Sequence, residues 1–112
     1  MNLYDTANQL EQELRQTPEF IALKKAREVV AENEESKNLF SAFQQVQMEL
    51  QTKQQTGEEF TEEDMKKAQE TAENAQGNEL INDLMAKEQA FSLIVNDLNR
   101  IIMTPVRELY QD

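Results

Sequence analysis

Neither cysteine nor histidine occurs anywhere in the chain. Without cysteine there is no disulfide, no thiolate zinc site, no cysteine-held iron–sulfur cluster and no cysteine nucleophile. Without histidine the commonest general base and the commonest metal ligand are lost together. No metal and no other cofactor is therefore expected. No run of eighteen apolar residues exists either, so no membrane span is expected. The opening MNLYDTANQLEQELRQ carries acids and lacks the basic start and apolar block of a secretory signal, which makes a cytoplasmic location the expectation. Basic side chains are in deficit: 11 Lys and Arg against 22 Asp and Glu leave a net charge of -11. A field of that sign repels phosphate backbones, so direct nucleic-acid binding is disfavoured. The densest basic group, Lys24, Lys25 and Arg27, is flanked by Glu19 and Glu28 and reads as a solvated helix face. Glycine and proline are limited to two each, as in a chain built almost wholly of helix.

The positive signals agree with an all-α protein, a single domain over residues 1–112. Asn2 is a good N-cap for a first helix whose apolar face is Leu3, Ala7, Leu10 and Leu14. That helix must end near Gln16, because the residue before Pro18 is pushed out of the α region. Thr17-Pro18-Glu19 restarts the chain, and Phe20, Leu23, Ala26 and Val30 point inward. Asn33, followed by Glu34 and Glu35, opens a third helix carrying Leu39, Phe40, Phe43, Val46 and Leu50, and Gly57 suits its C-cap. Thr61, with Glu62, Glu63 and Asp64 behind it, is the strongest local start signal, and Phe60 is placed to staple onto Met65. The stripe beyond it, Met65, Ala68, Ala72 and Ala75, is thin, so another backbone is expected to approach it closely. A lone Gly inside a helix costs about 1 kcal/mol against Ala, which packing overrides. One long helix from Thr61 to about Met103, bent at Gly77-Asn78, is therefore expected. Thr104-Pro105 should stop it, and a short last helix should return Leu109 and Tyr110 to the body.

The organising stretch is Asn78 to Tyr110. Leu80, Ile81, Leu84, Phe91, Ile94, Val95, Leu98, Ile101 and Ile102 recur at three- and four-residue steps and form one continuous stripe. Soluble monomers seldom leave a large contiguous apolar patch in water. A two-fold partner laying the same helix alongside would bury it with one self-complementary surface. The expected architecture is an elongated helical bundle of about four to five helices that dimerises. The candidate dimer or partner interface is Leu84, Phe91, Ile94, Val95, Leu98, Ile101 and Ile102.

Nothing in the sequence assembles a catalytic site. Glu62, Glu63 and Asp64 satisfy a helix N-terminus, and Glu70 and Glu73 pair with Lys66 and Lys67 in ordinary helical spacing. A carboxylate-bridged di-metal bundle needs Glu-x-x-His pairs, which a chain without histidine cannot supply. Thr56-Gly57-Glu58-Glu59 lacks the alternating ligands of a calcium loop. Lys87 and Glu88, beside the central stripe, read as stems that pack while their charged ends reach water.

Taken whole, the chain resembles the YlbF/YmcA family of small helical bacterial proteins, and most closely its cysteine-free YheA-like branch. The resemblance rests on Leu3-Tyr4-Asp5 with Leu10 and Leu14, Glu19-Phe20 with Leu23-Lys24, and Phe40, Phe43, Gln47 and Leu50. It also rests on the loop Thr56-Gly57-Glu58-Glu59 and on Ile101-Ile102-Met103-Thr104-Pro105 leading to Glu108-Leu109-Tyr110. It implies an all-helical fold that pairs into dimers through its long helices, and a cytoplasmic location in Firmicutes-type bacteria. Relatives of this kind are non-enzymatic accessory proteins that assemble with one another and influence competence, biofilm formation, sporulation and RNA processing. Some hold iron–sulfur clusters through cysteines; this chain has none, so that property does not carry over.

The expected function is accordingly that of a non-enzymatic protein–protein interaction or accessory protein, regulatory by resemblance, whose first partner is itself. Other protein partners remain to be identified, and neither nucleic acid nor membrane is among the expected ones. The alternative is a carboxylate- or metal-dependent enzyme, which would show carboxylates converging in a closed pocket.

Overall fold

A computed structural model describes residues 2–111 of the chain. Six helices follow one another: α1 Leu3–Arg15, α2 Pro18–Glu32, α3 Glu34–Thr56, α4 Glu62–Gln76, α5 Glu79–Ile102 and α6 Thr104–Leu109. There is no strand among the described residues, and the all-α expectation holds.

The helix starts are chemical. The Asn2 side chain accepts from the N–H groups of Tyr4 and Asp5, Thr17 Oγ1 from Phe20, and Asn33 Oδ1 from Ser36. Each satisfies donors that the first turn of a helix leaves without an internal partner. Thr61 and Asp64 form a reciprocal capping box: Asp64 N–H donates to Thr61 Oγ1 at 3.0 Å, and Thr61 N–H donates to Asp64 Oδ2 at 2.9 Å. Gly57 ends α3 in the left-handed region at φ 78°. At the other end of the chain, Pro105 has no N–H to continue the ladder of α5, which stops at Ile102.

One expectation fails at Gly77-Asn78. The helix from Thr61 to Met103 is two helices, α4 and α5, so the described residues form six helices where about four to five are expected. The break is held from several sides. Gly77 N–H donates to the carbonyl of Glu73, closing α4. Asn78 Oδ1 then accepts from Ile81 N–H at 3.1 Å, opening α5. Asn82 Nδ2 reaches back to the carbonyl of Gln76 at 2.7 Å. A cap of this kind stabilises a start by about 1 kcal/mol, which offsets the turn lost.

The chain divides into two compact units, residues 25–85 and residues 1–24 with 86–112. The first contains α3 and α4, an antiparallel pair joined by the loop after Gly57. Ala75 is buried here and Ala68 and Ala72 are half-buried, so the backbone that approaches the thin alanine stripe is that of α3. Val30, Phe40, Val46, Ile81 and Leu84 complete the core. The Arg27 guanidinium lies over the Phe40 ring, 4.9 Å from its centroid, a cation–π contact. Phe60 and Met65 remain exposed, so the expected staple contributes no core.

The second unit holds α1, the start of α2, the later part of α5, and α6. Phe20 and Phe91 meet with ring centroids 5.5 Å apart and planes at 56°, a tilted aromatic pair. Leu10 and Leu14 of α1 are half-buried, while Leu3 at its start is exposed.

Candidate interaction surface

Among the described residues the buried ones are Ala26, Val30, Ser36, Phe40, Val46, Ala75, Ile81 and Leu84. Every one lies in residues 25–85. Among the described residues of the other unit none is buried, although it carries a large share of the chain's apolar side chains. Phe91, Ile94, Val95 and Leu98 are half-buried; Ile101 and Ile102, on the same stripe, are 63% and 62% exposed. Leu84 departs from the expected set: it is completely buried inside its own unit and has no surface to offer a partner. The candidate face thus runs from Phe91 to Ile102 along the last three turns of α5. Lys87 is half-buried and Glu88 exposed at the edge of that stretch.

The tail also departs from expectation. Leu109 and Tyr110 are 79% and 83% exposed, so α6 does not return them to the body. Thr104 Oγ1 donates to the carbonyl of Arg100, and Arg107 Nη2 donates to Thr104 Oγ1, which carries α6 onward from the end of α5.

Charge is distributed unevenly beside these apolar surfaces. Residues 25–85 carry six basic and fourteen acidic side chains, a net of -8. Residues 86–112 carry Lys87, Arg100 and Arg107 against Glu88, Asp97, Glu108 and Asp112, a net of only -1. Arg100 and Asp97 already pair on α5 at 2.8 Å. Two copies of this segment can therefore approach without the repulsion that the whole chain would exert on itself.

A shallow groove of about 250 Å³ lies on the same unit, lined by Glu11, Leu14, Arg15, Phe20 and Phe91. Its floor is apolar, and its rim carries the ion pair of Arg15 with Glu11 at 2.6 Å.

Elsewhere the carboxylates do not converge. Among the described residues no three acidic side chains are placed to hold a metal ion. Glu62, Glu63 and Glu70 line an exposed hollow on α4 together with Lys66 and Lys67. One ion pair was not legible from helical spacing: Lys53 Nζ lies 2.5 Å from Asp64 Oδ2 and ties the last turn of α3 to the first of α4. The Lys53 hydrogen bond, followed by that of the Thr61 N–H, holds the Asp64 carboxyl down at about 2. The same hydrogen bond raises Lys53 above its ordinary value. The two lie eleven positions apart with the whole loop between them, so local periodicity gave no sign of the contact.

Fold and surface together define an all-helical protein with an unshielded apolar helix face. The chain belongs to the family described as "Control of competence regulator ComK, YlbF/YmcA", whose model matches residues 3–107. A UPF0342 protein of Listeria monocytogenes is 51% identical over 110 residues, 98% of this chain and 94% of the relative. One from Staphylococcus epidermidis is 50% identical over 112 residues, 100% of this chain and 98% of the relative. Among solved structures, a "Protein of Unknown Function (DUF964) from Bacillus stearothermophilus" superposes with a TM-score of 0.87 at 34% identity, covering 98% of this chain and 96% of that one. YheA from Bacillus subtilis gives 0.77 at 35%, covering 98% and 100%. Bacillus subtilis RicA, crystallised in complex with RicF, gives 0.67 at 20% identity with 97% and 96% covered, a likeness of fold. No helix among the described residues is long and apolar enough to cross a membrane.

Proposed function

We propose that this protein is a non-enzymatic accessory protein that acts by assembling with other proteins, beginning with a second copy of itself through the Phe91–Ile102 face of α5. The observation that carries the reading is the absence of any buried residue among those described outside 25–85, beside a stripe as apolar as that of a core helix. A unit that keeps its apolar side chains half in water gains little from folding alone and much from a second surface. The small net charge of residues 86–112, -1, favours a like partner over a strongly charged one. The family's description as a control of a competence regulator, and the pairing of RicA with RicF, favour a regulatory role exerted through protein contacts in the cytoplasm.

The test is light scattering of the wild type and of Leu98→Glu. A dimer at micromolar concentration is expected for the wild type. The variant should weaken association by about 100-fold or more, since an unpaired buried carboxylate costs several kcal/mol and 1.4 kcal/mol is tenfold. A wild type that is monomeric and well folded at that concentration overturns the reading.

A further inference from the structure

Resting on the dimer just proposed, we infer that the C-terminal segment of each copy is exchanged, with Leu109 and Tyr110 seated in the Leu14–Phe20–Phe91 groove of the other copy.

Geometry supplies the first argument. Two copies of α5 related by a two-fold axis lie either parallel or antiparallel. The start of α5 belongs to the unit that carries a net charge of -8. Residues 79–85 of α5 carry Glu79 and Asp83 and no base, so parallel pairing sets like charges side by side along the helix, whereas antiparallel pairing separates them. In an antiparallel pair centred on the stripe, near position 96 or 97, Phe91 falls opposite Ile102 of the second copy. The segment that follows Ile102 then continues past Phe91, and the groove beside Phe91 is what it meets. The chain's own tail is poorly placed for that groove. Phe91 and Ile102 are eleven residues apart on one helix, about 16 Å, and α6 leads away from the end of α5 with both side chains exposed.

Complementarity supplies the second. The segment presents Val106, Leu109 and Tyr110 at helical three- and four-residue spacing, the pattern by which a short amphipathic helix anchors in a groove. Between these anchors stand Arg107 and Glu108, one base and one acid. The groove floor is Leu14 with the tilted Phe20 and Phe91 rings, and its rim is Glu11 and Arg15, one acid and one base. Apolar anchors thus meet an apolar floor, and each rim charge meets a tail charge of opposite sign. An aromatic anchor in such a place gains both burial and ring contact.

The absence of cysteine makes the test clean. Asn8→Cys, one turn from Glu11, and Gln111→Cys, next to Tyr110, are both exposed changes that leave the rim charges and the anchors in place, introduced together and as single-cysteine proteins. A short bis-maleimide is added to the double variant and to an equimolar mixture of the two single variants. The expected result is a covalent dimer in both, the mixture reporting contact between copies directly. A second measurement is the dimer dissociation constant of Leu109→Ala with Tyr110→Ala, expected to rise about tenfold or more while the helix content is unchanged. A cross-link within one chain places the tail on its own groove and overturns the inference. So does a wild-type dimer whose mixture gives no cross-link and whose affinity ignores the tail, an outcome that leaves the dimer itself standing. A monomeric wild type removes both.

Discussion

Residues 25–85 and the unit formed by 1–24 with 86–112 are built from the same kind of helix and reach different states. The first buries Ile81 and Leu84 completely and Val30 almost so, under an exterior of net charge -8. The second carries Leu10, Leu14, Phe20, Phe91, Ile94, Val95 and Leu98 and completes the burial of none of them. The difference does not lie in hydrophobicity, because α5 runs through both units with one continuous stripe. It lies in coverage. In residues 25–85 the stripe shares its unit with a helical hairpin whose small residues, Ala75 above all, let backbones approach closely. In the other unit too few neighbours exist within one chain. A helix face becomes core or interface according to what the rest of the chain can lay over it.

That contrast can be broken most forcefully at Leu84 or Ile81. Truncation of either to Ala removes a completely buried side chain and should cost about 2–5 kcal/mol in a denaturant titration. The same truncation at Leu10, half-buried in the other unit, should cost clearly less. Equal costs would show the two units to be packed alike and would remove the distinction.

Asn78→Ala tests the break between α4 and α5. Asn78 Oδ1 accepts both from Ile81 N–H and from the hydroxyl of buried Ser36 at 3.0 Å, so one substitution removes a cap and leaves Ser36 without its acceptor. The expected loss is about 1–3 kcal/mol. Double substitution with Ser36→Ala should recover part of it, a coupling that a thermodynamic cycle reads directly.

Gly57→Ala sharpens the account of the α3–α4 hairpin at lower cost. A Cβ at this position meets nothing within 4 Å, so the whole penalty is the left-handed backbone at φ 78°. About 1 kcal/mol is expected by thermal unfolding. A neutral result would mean that the loop relaxes to another conformation.

The smallest effect is expected from Lys53 and Asp64, and it depends on pH. The folded-state carboxyl of Asp64 lies near 2, below its ordinary 3.8, so its contribution is present above the ordinary value and is lost as pH falls through about 2. Lys53 is raised, so its contribution is complete below 10.5 and is lost as pH rises through the higher folded value. Asp64→Asn should lower the midpoint of thermal unfolding near neutrality, and the gap from wild type should close as the solution is taken to pH 2. A gap that persists there would assign the effect to the capping box alone.

Much of this architecture was legible residue by residue. Asn2, Thr17, Asn33 and Thr61 announce four helix starts because their side-chain oxygens reach N–H groups two or three residues on, a purely local geometry. Gly57 announces an end for an equally local reason. The stripe from Phe91 to Ile102 is visible because helical periodicity needs no knowledge of the neighbours. The break at Gly77-Asn78 left a trace too, in the slip of the apolar phase there and in an Asn followed by Glu79. That local trace is faint because Asn78 is also held by a partner no local pattern shows, Ser36, forty-two residues away.

Tertiary structure alone decided which apolar residues became core. Leu84 and Leu98 occupy equivalent places on one stripe, yet the first is sealed and the second remains half in water. Likewise the amphipathic pattern of the tail predicts a return to the body, whereas Leu109 and Tyr110 stand exposed. Periodicity fixes which face of a helix is apolar, because that depends only on the 3.6-residue turn. What covers the face depends on contacts between residues far apart in the chain, and no local pattern records those.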